Sequence, residues 1–428
     1  MARQLTVWLL GTPVGTLCQV DGRLQFTYLP TATKALSQSL PIRDQPFDDR
    51  ASRPFFAGLL PEGGKRRQIA KTLQVSAQND FALLDSLGGE CAGAVTLLEA
   101  GQPPQNGTVS DSVQWLSEEQ LRQVLDEMPL RPMRAGDQGL RLSLAGAQDK
   151  LPVVLGSDGC IGLPLNGAPS THILKPPIPT VEGSVFNEAF CMALGAALKL
   201  DVAPARIHHV QASGADDPAR PYLLVTRYDR LQSLDGATQR LHQEDFCQAL
   251  GVITEHKYQN EGGPGLAQAF ALLRSATRPT APHILKLLDY VVFHALIGNH
   301  DAHGKNFSLL YMAQGAVLAP MYDALCTAIY PSLTEKMAMK IGSKYKFSEV
   351  LPRHWDAFAK EAGLTPAPVR KRILDIANRL PALAQSTQTS MESQGHGHPV
   401  LGAIVALIVQ RCALTIRRFA EPEVSEQI

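Results

Sequence analysis

Apolar and polar residues alternate along the first part of the chain. The segments LTVWLL, GTLCQV and RLQFTYL repeat this alternation with a period of two, which is typical of strands that bury one face. Asp21-Gly22 separates the second segment from the third, and this dipeptide favours a two-residue hairpin turn. The pattern predicts a strand meander, then helices over 65–75 and 79–87 and a further strand over 92–98.

The middle of the chain has strand-like segments around one strong helix. The predicted strands cover 151–156, 171–175 and 222–230. An amphipathic helix is predicted over 186–200, between the last two strands. A helix is also predicted over 117–128, where Ser117 and Gln120 have the spacing of a capping box.

The spacing of apolar residues becomes helical from residue 241 onward. The polar stretch 384–398 departs from it, and its composition predicts a mobile loop. Residues 101–112 are rich in Gly, Pro, Asn and Ser and predict a linker. We therefore expect three parts: 1–112, a mostly β part over 113–240 and a helical part over 241–428.

The charge of the chain excludes one class of function. Lys plus Arg and Asp plus Glu both number 40, so the formal net charge is zero. Sequence-independent DNA binding depends on an excess of cations and is not expected of this chain alone. The seven cysteines are scattered and form no C-x-x-C pair, a pattern typical of reduced thiols in a cytosol.

No segment predicts a cleaved leader or a membrane span. Gly11 and Pro13 interrupt the apolar N-terminal segment. The apolar run Val400–Val409 is shorter than the roughly 20 residues that a span needs, so it predicts a buried helix. We expect a soluble, cytoplasmic protein without a membrane partner.

The most informative segment is NHDAHGKN at 299–306. Asp301 and Asn306 follow an apolar helix that we expect to end at Gly298. Protein kinases use this Asp-x-x-x-x-Asn spacing in the catalytic loop, where the Asp accepts the proton of the attacking hydroxyl and the Asn binds magnesium. A solvated loop that caps the helix is the alternative.

Two residues near this segment fit the same chemistry. Asp323 follows a strand-like stretch and supplies a carboxylate, a hard oxygen ligand suited to Mg²⁺. Lys305 lies inside the loop, where an ammonium group neutralises a transferring phosphoryl group, and a surface lysine is the alternative.

Lys175 and Glu188 form the second candidate group. Lys175 ends a predicted strand, and Glu188 lies early in the next predicted helix, which suits the Lys–Glu ion pair of kinases. The alternative is a surface lysine and a carboxylate stabilised by the helix dipole.

The segment before the strand at 151–156 is a candidate phosphate loop. Arg141 to Lys150 contains one glycine, Gly146, and small neighbours that let backbone N–H groups approach phosphates. Phosphorylation of Ser143 would place a charge of about −1.5 to −2 in this loop. A serine in an ordinary turn is the alternative.

The string GNHD also matches the GNH[DE] box of binuclear metallophosphatases, in which histidines such as His300 and His303 would bind metal. Those enzymes need D-x-H and GDxxDR boxes upstream. Neither occurs upstream here, so this alternative is disfavoured.

Several strings in order resemble the HipA family of serine/threonine kinase toxins: LLPEG, GAVTLL, LSLAGAQDKLPVVL, THILKPP, NEAFCMALG, QEDFCQALG, KYQNEGGPG, GNHDAHGKNFSLLY and MYDAL. The resemblance implies an α+β, two-lobed protein-kinase-like fold. It has a β-rich N-terminal lobe with an extra N-terminal subdomain and an all-helical C-terminal lobe. ATP and Mg²⁺ are the implied cosubstrate and cofactor.

The resemblance also assigns roles to residues. It implies that Asp301 is the catalytic base, assisted by Lys305, that Asn306 and Asp323 bind metal, and that Ser143 is autophosphorylated as an off-switch. Thr226 to Tyr228 would form a hinge whose backbone reads adenine, with Asp229 near the ribose. The implied nucleotide-binding residues are Ala145, Gly146, Ala147, Gln148, Lys175, Glu188, Thr226, Arg227, Tyr228, Asp229 and His303.

The implied partners are a HipB-like helix-turn-helix antitoxin, operator DNA bound through that antitoxin, and an aminoacyl-tRNA synthetase as substrate, glutamyl-tRNA synthetase first. Two other functions stay open at this point. One is a co-repressor scaffold that binds the antitoxin without needing catalysis. The other is a small-molecule kinase with the same catalytic residues.

Overall fold

The computed structural model describes residues 3–104, 112–210, 219–232 and 237–421. Contacts divide the chain into two compact units. Unit 1 comprises 1–178, 205–255 and 308–319, and unit 2 comprises 179–204, 256–307 and 320–428. The division into three parts stays a prediction, and residues 105–111 of the predicted linker lie outside the described residues.

Unit 1 begins with an antiparallel sheet in the order β3-β2-β1-β4. Its strands are β1 Gln4–Leu9, β2 Thr12–Val20, β3 Arg23–Tyr28 and β4 Val95–Glu99. The helices that follow β3 are α1 Asp49–Ala57, α2 Gly63–Thr72 and α3 Asp80–Leu87. Asp21 and Gly22 both have positive φ (49° and 78°), as a two-residue primed turn requires, so the predicted hairpin is confirmed.

A six-stranded sheet in the order β5-β7-β6-β8-β10-β9 forms the second part of unit 1. Its strands are β5 Val113–Trp115, β6 Leu151–Leu155, β7 Ile161–Pro164, β8 His172–Lys175, β9 Ala205–Val210 and β10 Arg220–Thr226. Helix α4 Glu118–Glu127 follows β5, and Ser117 and Gln120 make the predicted capping box. Apolar side chains from both sheets join one buried core.

Shorter strands complete unit 1. They are β11 Arg230–Gln232, β12 Thr238–Arg240, β13 His242–Asp245, β14 Ser308–Met312 and β15 Gly315–Leu318, with the short helix α6 Phe246–Ala249. In β13 the Glu244 carboxyl group is buried, and it accepts hydrogen bonds from the Ser37 hydroxyl, the Gln38 N–H and the Tyr311 hydroxyl. Burial nevertheless raises the pKa of Glu244 to about 7.

We expect Glu244→Gln to stabilise the protein in a pH-dependent way. The pKa of Glu244 is higher in the folded state, so folding loses stability as pH rises from about 4.5 to about 7. The neutral amide of the variant avoids that loss. The free energy of unfolding of Glu244→Gln should therefore exceed that of the wild type by an amount that grows between about pH 4.5 and pH 7 and reaches about 2–3 kcal/mol above pH 7. Urea unfolding at pH 5, 6, 7 and 8 measures it. Glu255→Gln, on a mostly exposed side chain, is the control, and a pH-independent difference would contradict the expectation.

Unit 2 is built mainly from helices. They are α5 Ser184–Ala197, α7 Leu266–Ala276, α8 Thr280–Ile297, α9 Pro352–Glu361, α10 Pro366–Ser393 and α11 Pro399–Ala420, with the hairpin strands β16 Lys336–Ile341 and β17 Lys344–Lys346. Helices α10 and α11 pack on each other, and both pack on α5 and α8. The expected all-helical part after residue 241 is wrong in this respect, because β13 to β17 lie there. β13 pairs with a strand distant in sequence, so local periodicity does not reveal it, whereas β14 and β15 coincide with the strand-like stretch predicted before Asp323.

The predicted mobile loop over 384–398 is also wrong. Residues up to Ser393 continue helix α10, and Ala384, Thr387 and Met391 are buried at helical spacing. The Thr387 hydroxyl donates back to the Leu383 carbonyl, which satisfies it inside the helix. Burial of one face therefore outweighs the low helix propensity of this polar stretch.

Among the residues that the structure describes, two helices are long and apolar enough to cross a membrane by length and composition alone. They are α8, with 67% of its apolar window buried, and α11, with 39% buried. Core helices of soluble proteins pass the same test. Helix α11 is a full 22 residues, longer than the predicted run, and its buried stripe includes Leu401, Ile404 and Ile408.

Candidate active site

The loop that carries Asp301 begins where α8 ends. Gly298 caps α8 with a left-handed backbone (φ 77°), as predicted. A Cβ at this position would lie 2.8 Å from the Ala328 Cβ, so both the conformation and the space require glycine.

Hydrogen bonds fix the backbone of Asp301 on both sides. Its N–H donates to Asn299 Oδ1 (3.0 Å), and its carbonyl accepts from His303 N–H (2.8 Å) and Asn306 Nδ2 (3.1 Å). Asn299 Nδ2 in turn donates to Nδ1 of the buried His294 (3.1 Å). Because the amide nitrogen of Asn306 is engaged in this way, its amide oxygen is the atom that can bind a cation.

His300 does not fit the metallophosphatase alternative. Its Nδ1 lies 2.9 Å from the Thr334 carbonyl, and Arg411 donates to its Nε2 (3.0 Å). Burial and the neighbouring Arg411 lower the pKa of His300, which keeps the ring neutral. Both ring nitrogens are therefore occupied, and His300 braces the loop instead of offering a metal ligand.

The Asp301 carboxylate itself is exposed. Its Oδ1 accepts a hydrogen bond of 2.6 Å from the Tyr258 hydroxyl. The Tyr258 ring meets His303 edge-to-face, with centroids 5.1 Å apart. An exposed carboxylate held by a fixed donor has the geometry expected of a general base that a substrate hydroxyl can approach.

Asp323 has an unusual backbone, with φ at 57°. Left-handed φ is uncommon outside glycine, although Asp and Asn tolerate it, and such strain concentrates at functional sites. Its neighbour Tyr322 donates to the Lys305 carbonyl (2.6 Å), which ties this segment to the loop of Asp301. Lys305 is only 7% exposed, which argues against the alternative that it is a surface lysine.

The oxygen atoms of Asn306 and Asp323 are hard donors of the kind Mg²⁺ prefers. Within the described residues, no group of three or more His, Cys, Asp or Glu side chains could hold a metal ion. Magnesium in kinases takes few protein ligands and completes its shell with phosphate and water, so this donor set fits Mg²⁺ bound together with a nucleotide.

Lys175 and Glu188 are both buried, but they lie in different units. Lys175 ends β8 in unit 1 and is 6% exposed, so it is not a surface lysine. Glu188 is the fifth residue of α5 in unit 2 and is 1% exposed. This position lies beyond the first turn, where the helix dipole acts, so that alternative is weakened. Their predicted ion pair stays a prediction.

The candidate phosphate loop is held inside unit 1. Ser143 is fully buried; its hydroxyl donates to the Leu59 carbonyl (2.8 Å), and its N–H donates to the Glu90 carbonyl (2.9 Å). The Gly146 carbonyl accepts from Glu62 N–H (3.1 Å). The Lys150 ammonium donates to the Ala145 carbonyl (2.8 Å). Ala147 is exposed and Gln148 half-buried, so this end of the loop is the accessible one.

The predicted hinge lies beside a buried ion cluster of Glu90, Arg227, Asp229, Arg230 and Arg240. The Glu90 carboxylate contacts the guanidinium groups of Arg227, Arg230 and Arg240, with Arg227 Nη1 at 3.1 Å and Arg230 Nη2 at 2.8 Å. Asp229 accepts from Arg227 (2.7 Å) and from the Gly93 N–H (2.7 Å). The backbone N–H of Arg227 donates a hydrogen bond to the Thr171 carbonyl (3.0 Å).

These contacts surround the predicted hinge, Thr226 to Tyr228, but they do not show whether it binds a nucleotide. The carboxylate of Asp229 is already engaged by Arg227. The roles of Thr226, Arg227, Tyr228 and Asp229 in nucleotide binding stay predictions.

Sequence reasoning missed several residues that hold these groups. Tyr258, His294, Asn299 and Arg411 support the Asp301 loop, and Glu90 organises the ion cluster. Each of these five residues either lies far in sequence from at least one of its partners or belongs to no recognisable sequence motif. An Asn directly before the His-Asp pair was the one available signal.

Family models match two parts of the chain. The HipA N-terminal domain matches residues 5–98, and the HipA-like C-terminal domain matches residues 142–384. The second match covers more than half of the 428 residues.

Individual relatives agree with these models. Y4mE of Sinorhizobium fredii, provisionally named a kinase, is 49% identical over 384 residues, which cover 88% of this chain and 90% of that protein. The serine/threonine-protein kinase toxin HipA of Shewanella oneidensis is 28% identical over 81% of this chain and 79% of its own. The solved complex of Shewanella oneidensis HipA with HipB and operator DNA matches with a TM-score of 0.80 at 25% identity, over 97% of each chain. The α+β, kinase-like fold class is thereby confirmed.

Proposed function

Because the chain belongs to the HipA family of serine/threonine kinase toxins, we propose that it is an ATP- and Mg²⁺-dependent protein kinase and the toxin of a toxin–antitoxin pair. The observation that carries the proposal is the braced loop that presents an exposed Asp301 carboxylate beside the Asn306 amide.

Each proposed catalytic residue has a distinct task. Bound ATP and Mg²⁺ supply the phosphoryl group and neutralise its charge. Asn306 Oδ1 and the Asp323 carboxylate hold the cation, and Asp301 accepts the proton of a serine or threonine hydroxyl. Lys175 and Lys305 counter phosphate charge, and Glu188 and His303 contribute to nucleotide binding. The loop from Ala145 to Gln148 binds phosphate through its backbone.

Ser143 is the proposed off-switch by autophosphorylation. In the structure its hydroxyl is buried against the Leu59 carbonyl, with no room for a charged phosphate. Transfer to Ser143 requires the loop to leave this position. Once modified, the side chain cannot return without burying about −1.5 to −2 charges, so the phosphorylated loop is held out.

The proposed protein substrate is an aminoacyl-tRNA synthetase, with glutamyl-tRNA synthetase first, in the cytoplasm. A HipB-like helix-turn-helix antitoxin is the proposed partner, and operator DNA is bound through it. The solved Shewanella oneidensis complex of HipA, HipB and operator DNA favours this assembly. A second candidate function, co-repression independent of catalysis, rests on the same complex.

We expect Asp323→Asn to lower phosphoryl transfer by about 10²-fold or more, because it removes one charge from the cation site. Asn tolerates the left-handed backbone at φ 57°, so the fold should be kept. Labelled ATP with purified synthetases measures transfer to substrate, and mass spectrometry measures phosphate on Ser143. Extra Mg²⁺ should restore part of the lost rate.

Asp375→Asn, at an exposed ion pair on α10, is the control and should behave as the wild type. A folded wild-type protein that binds ATP but labels neither Ser143 nor any synthetase would end the kinase proposal. Undiminished operator repression by Asp323→Asn with the antitoxin would establish that co-repression is separable from catalysis.

A further inference from the structure

Residues 59–65, which run from the end of α1 into the first turn of α2, hold the phosphate loop in unit 1. The Ser143 hydroxyl donates to the Leu59 carbonyl (2.8 Å), and the Glu62 N–H donates to the Gly146 carbonyl (3.1 Å). Both hydrogen bonds use the backbone of segment 59–65, so no change of side chain in that segment removes them.

The segment itself is fixed to the rest of unit 1. Leu59 and Leu60 are 2% and 0% exposed and belong to the buried core. The Arg66 side chain donates to the Ala77 carbonyl (2.7 Å) and forms an ion pair with Asp80, which ties the start of α2 to α3. We therefore expect the phosphate loop, and not segment 59–65, to move when the two separate.

Lys65 adds a side-chain contact to the far end of the loop. Its ammonium forms an ion pair with Asp149 Oδ2 (2.6 Å), and the two side chains are 22% and 11% exposed. Lys65 is the third residue of α2, where the positive end of the helix dipole disfavours a cation. The helix alone therefore does not favour a lysine at this position, whereas the carboxylate of Asp149 does.

The ion pair also affects where the loop is most stable. Oδ1 of Asp149 is buried without a hydrogen-bond partner among the described residues, so the Lys65 charge is what compensates this carboxylate. A buried carboxylate that loses its cation is strongly destabilising. Release of the loop into water would remove that cost, so the Lys65 charge favours the position in which the loop is held.

We propose that Lys65 is a positioning residue for the phosphate loop, and that its ion pair with Asp149 keeps Ser143 out of reach of phosphoryl transfer. The inference rests on the proposed kinase function and names a residue that sets the rate of the Ser143 off-switch. When the loop is released, the Ser143 oxygen bonds to the γ-phosphorus of ATP and the bond from that phosphorus to the β-phosphate oxygen breaks. The hydroxyl proton passes to Asp301, and ADP leaves.

The test removes the Lys65 charge and keeps a side chain of similar length. In Lys65→Met the Ser143 N–H, which donates to the Glu90 carbonyl (2.9 Å), should exchange with deuterium about 10- to 100-fold faster. This is the effect of losing one hydrogen bond to a charged group, and mass spectrometry of peptides from 141–150 of the full chain measures it. With ATP and Mg²⁺, the rate of phosphorylation of Ser143 should rise about tenfold.

Three further variants make the test specific. Lys65→Arg keeps the charge and should exchange like the wild type. Adding Asp149→Asn to Lys65→Met should reverse part of the acceleration, because no buried charge then remains to be released. Lys71→Met makes the same change at an exposed position of α2 and is the control.

The outcomes separate the inference from the function beneath it. Wild-type exchange of 141–150 in Lys65→Met overturns the positioning role, and so does faster exchange that extends to strands β1 to β4, because it indicates general loss of structure. Faster exchange confined to the loop, with no faster phosphorylation of Ser143 by an active enzyme, overturns the link to the off-switch. A folded wild type that phosphorylates nothing overturns the kinase function, while confined exchange would still establish that Lys65 holds the loop.

Discussion

Asp301→Asn is expected to reduce phosphoryl transfer by about 10³-fold, within the range for loss of a general base. The substitution removes the basic oxygen but retains an acceptor for the Tyr258 hydroxyl, so the loop should keep its conformation. Single-turnover transfer from labelled ATP to a synthetase or to Ser143 measures the loss. The melting temperature and the Kd for ATP should stay close to those of the wild type.

Glu361→Gln, at an exposed position of α9, provides the matched change from carboxylate to amide elsewhere in unit 2. Retention of more than about a tenth of the wild-type rate by Asp301→Asn would contradict its role as the base. In that case the Asp-x-x-x-x-Asn spacing would have to be explained by structure alone, as a helix-capping loop.

The second large effect is expected on stability. Glu90→Gln should lower the free energy of unfolding by about 3–5 kcal/mol, the usual cost of breaking a buried ion pair. Glu90 is 1% exposed and faces Arg227, Arg230 and Arg240, so the neutral amide leaves three cations with one carboxylate, Asp229. Urea unfolding at neutral pH measures the change. Asp126→Asn, at an exposed pair with Arg220, should cost less than about 1 kcal/mol.

The pH dependence gives a further check on Glu90. Although burial opposes ionisation, the three guanidinium groups hold the pKa of Glu90 well below its usual range. Its contribution to stability is therefore present above about pH 4.5 and is lost as pH falls. The difference between wild type and Glu90→Gln should shrink on acidification. A difference that is constant from neutral pH down to the acid transition would mean that the carboxylate charge is not what stabilises the cluster.

The ion cluster also has a consequence for the proposed nucleotide region of unit 1. Glu90 accepts from both the N–H and the hydroxyl of Ser170, while its carbonyl accepts from Ser143 N–H. One residue thus contacts the phosphate loop through its backbone and the hinge segment through its side chain. Glu90→Gln should therefore be assayed for ATP binding at a temperature where it is still folded.

Much of the fold could be read from local sequence. The Asp21-Gly22 hairpin, the Ser117 cap and the Gly298 helix end were all predicted, because each is decided by the conformational preferences of one or two residues. Three of the six strands of the six-stranded sheet, β6, β8 and β10, were predicted for a related reason. Their apolar and β-branched residues form short runs between turn residues, and that pattern is local.

The errors had one cause. Strand β13 depends on pairing with the distant strand β14, and the end of α10 depends on burial of Ala384, Thr387 and Met391. Both are tertiary effects that override propensity.

The same distinction applies to the candidate site. The sequence by itself determined which residues can do the chemistry, because the spacing of Asp301, Asn306 and Asp323 and their oxygen donors are properties of the chain. Only the tertiary structure decided how they are held: Tyr258 on the Asp301 carboxylate, Asn299 on its N–H, and Glu90 among three arginines. The contacts of Tyr258 and Glu90 join residues far apart in the chain, and the strength of all three comes from burial and hydrogen-bond geometry, which exist only after folding.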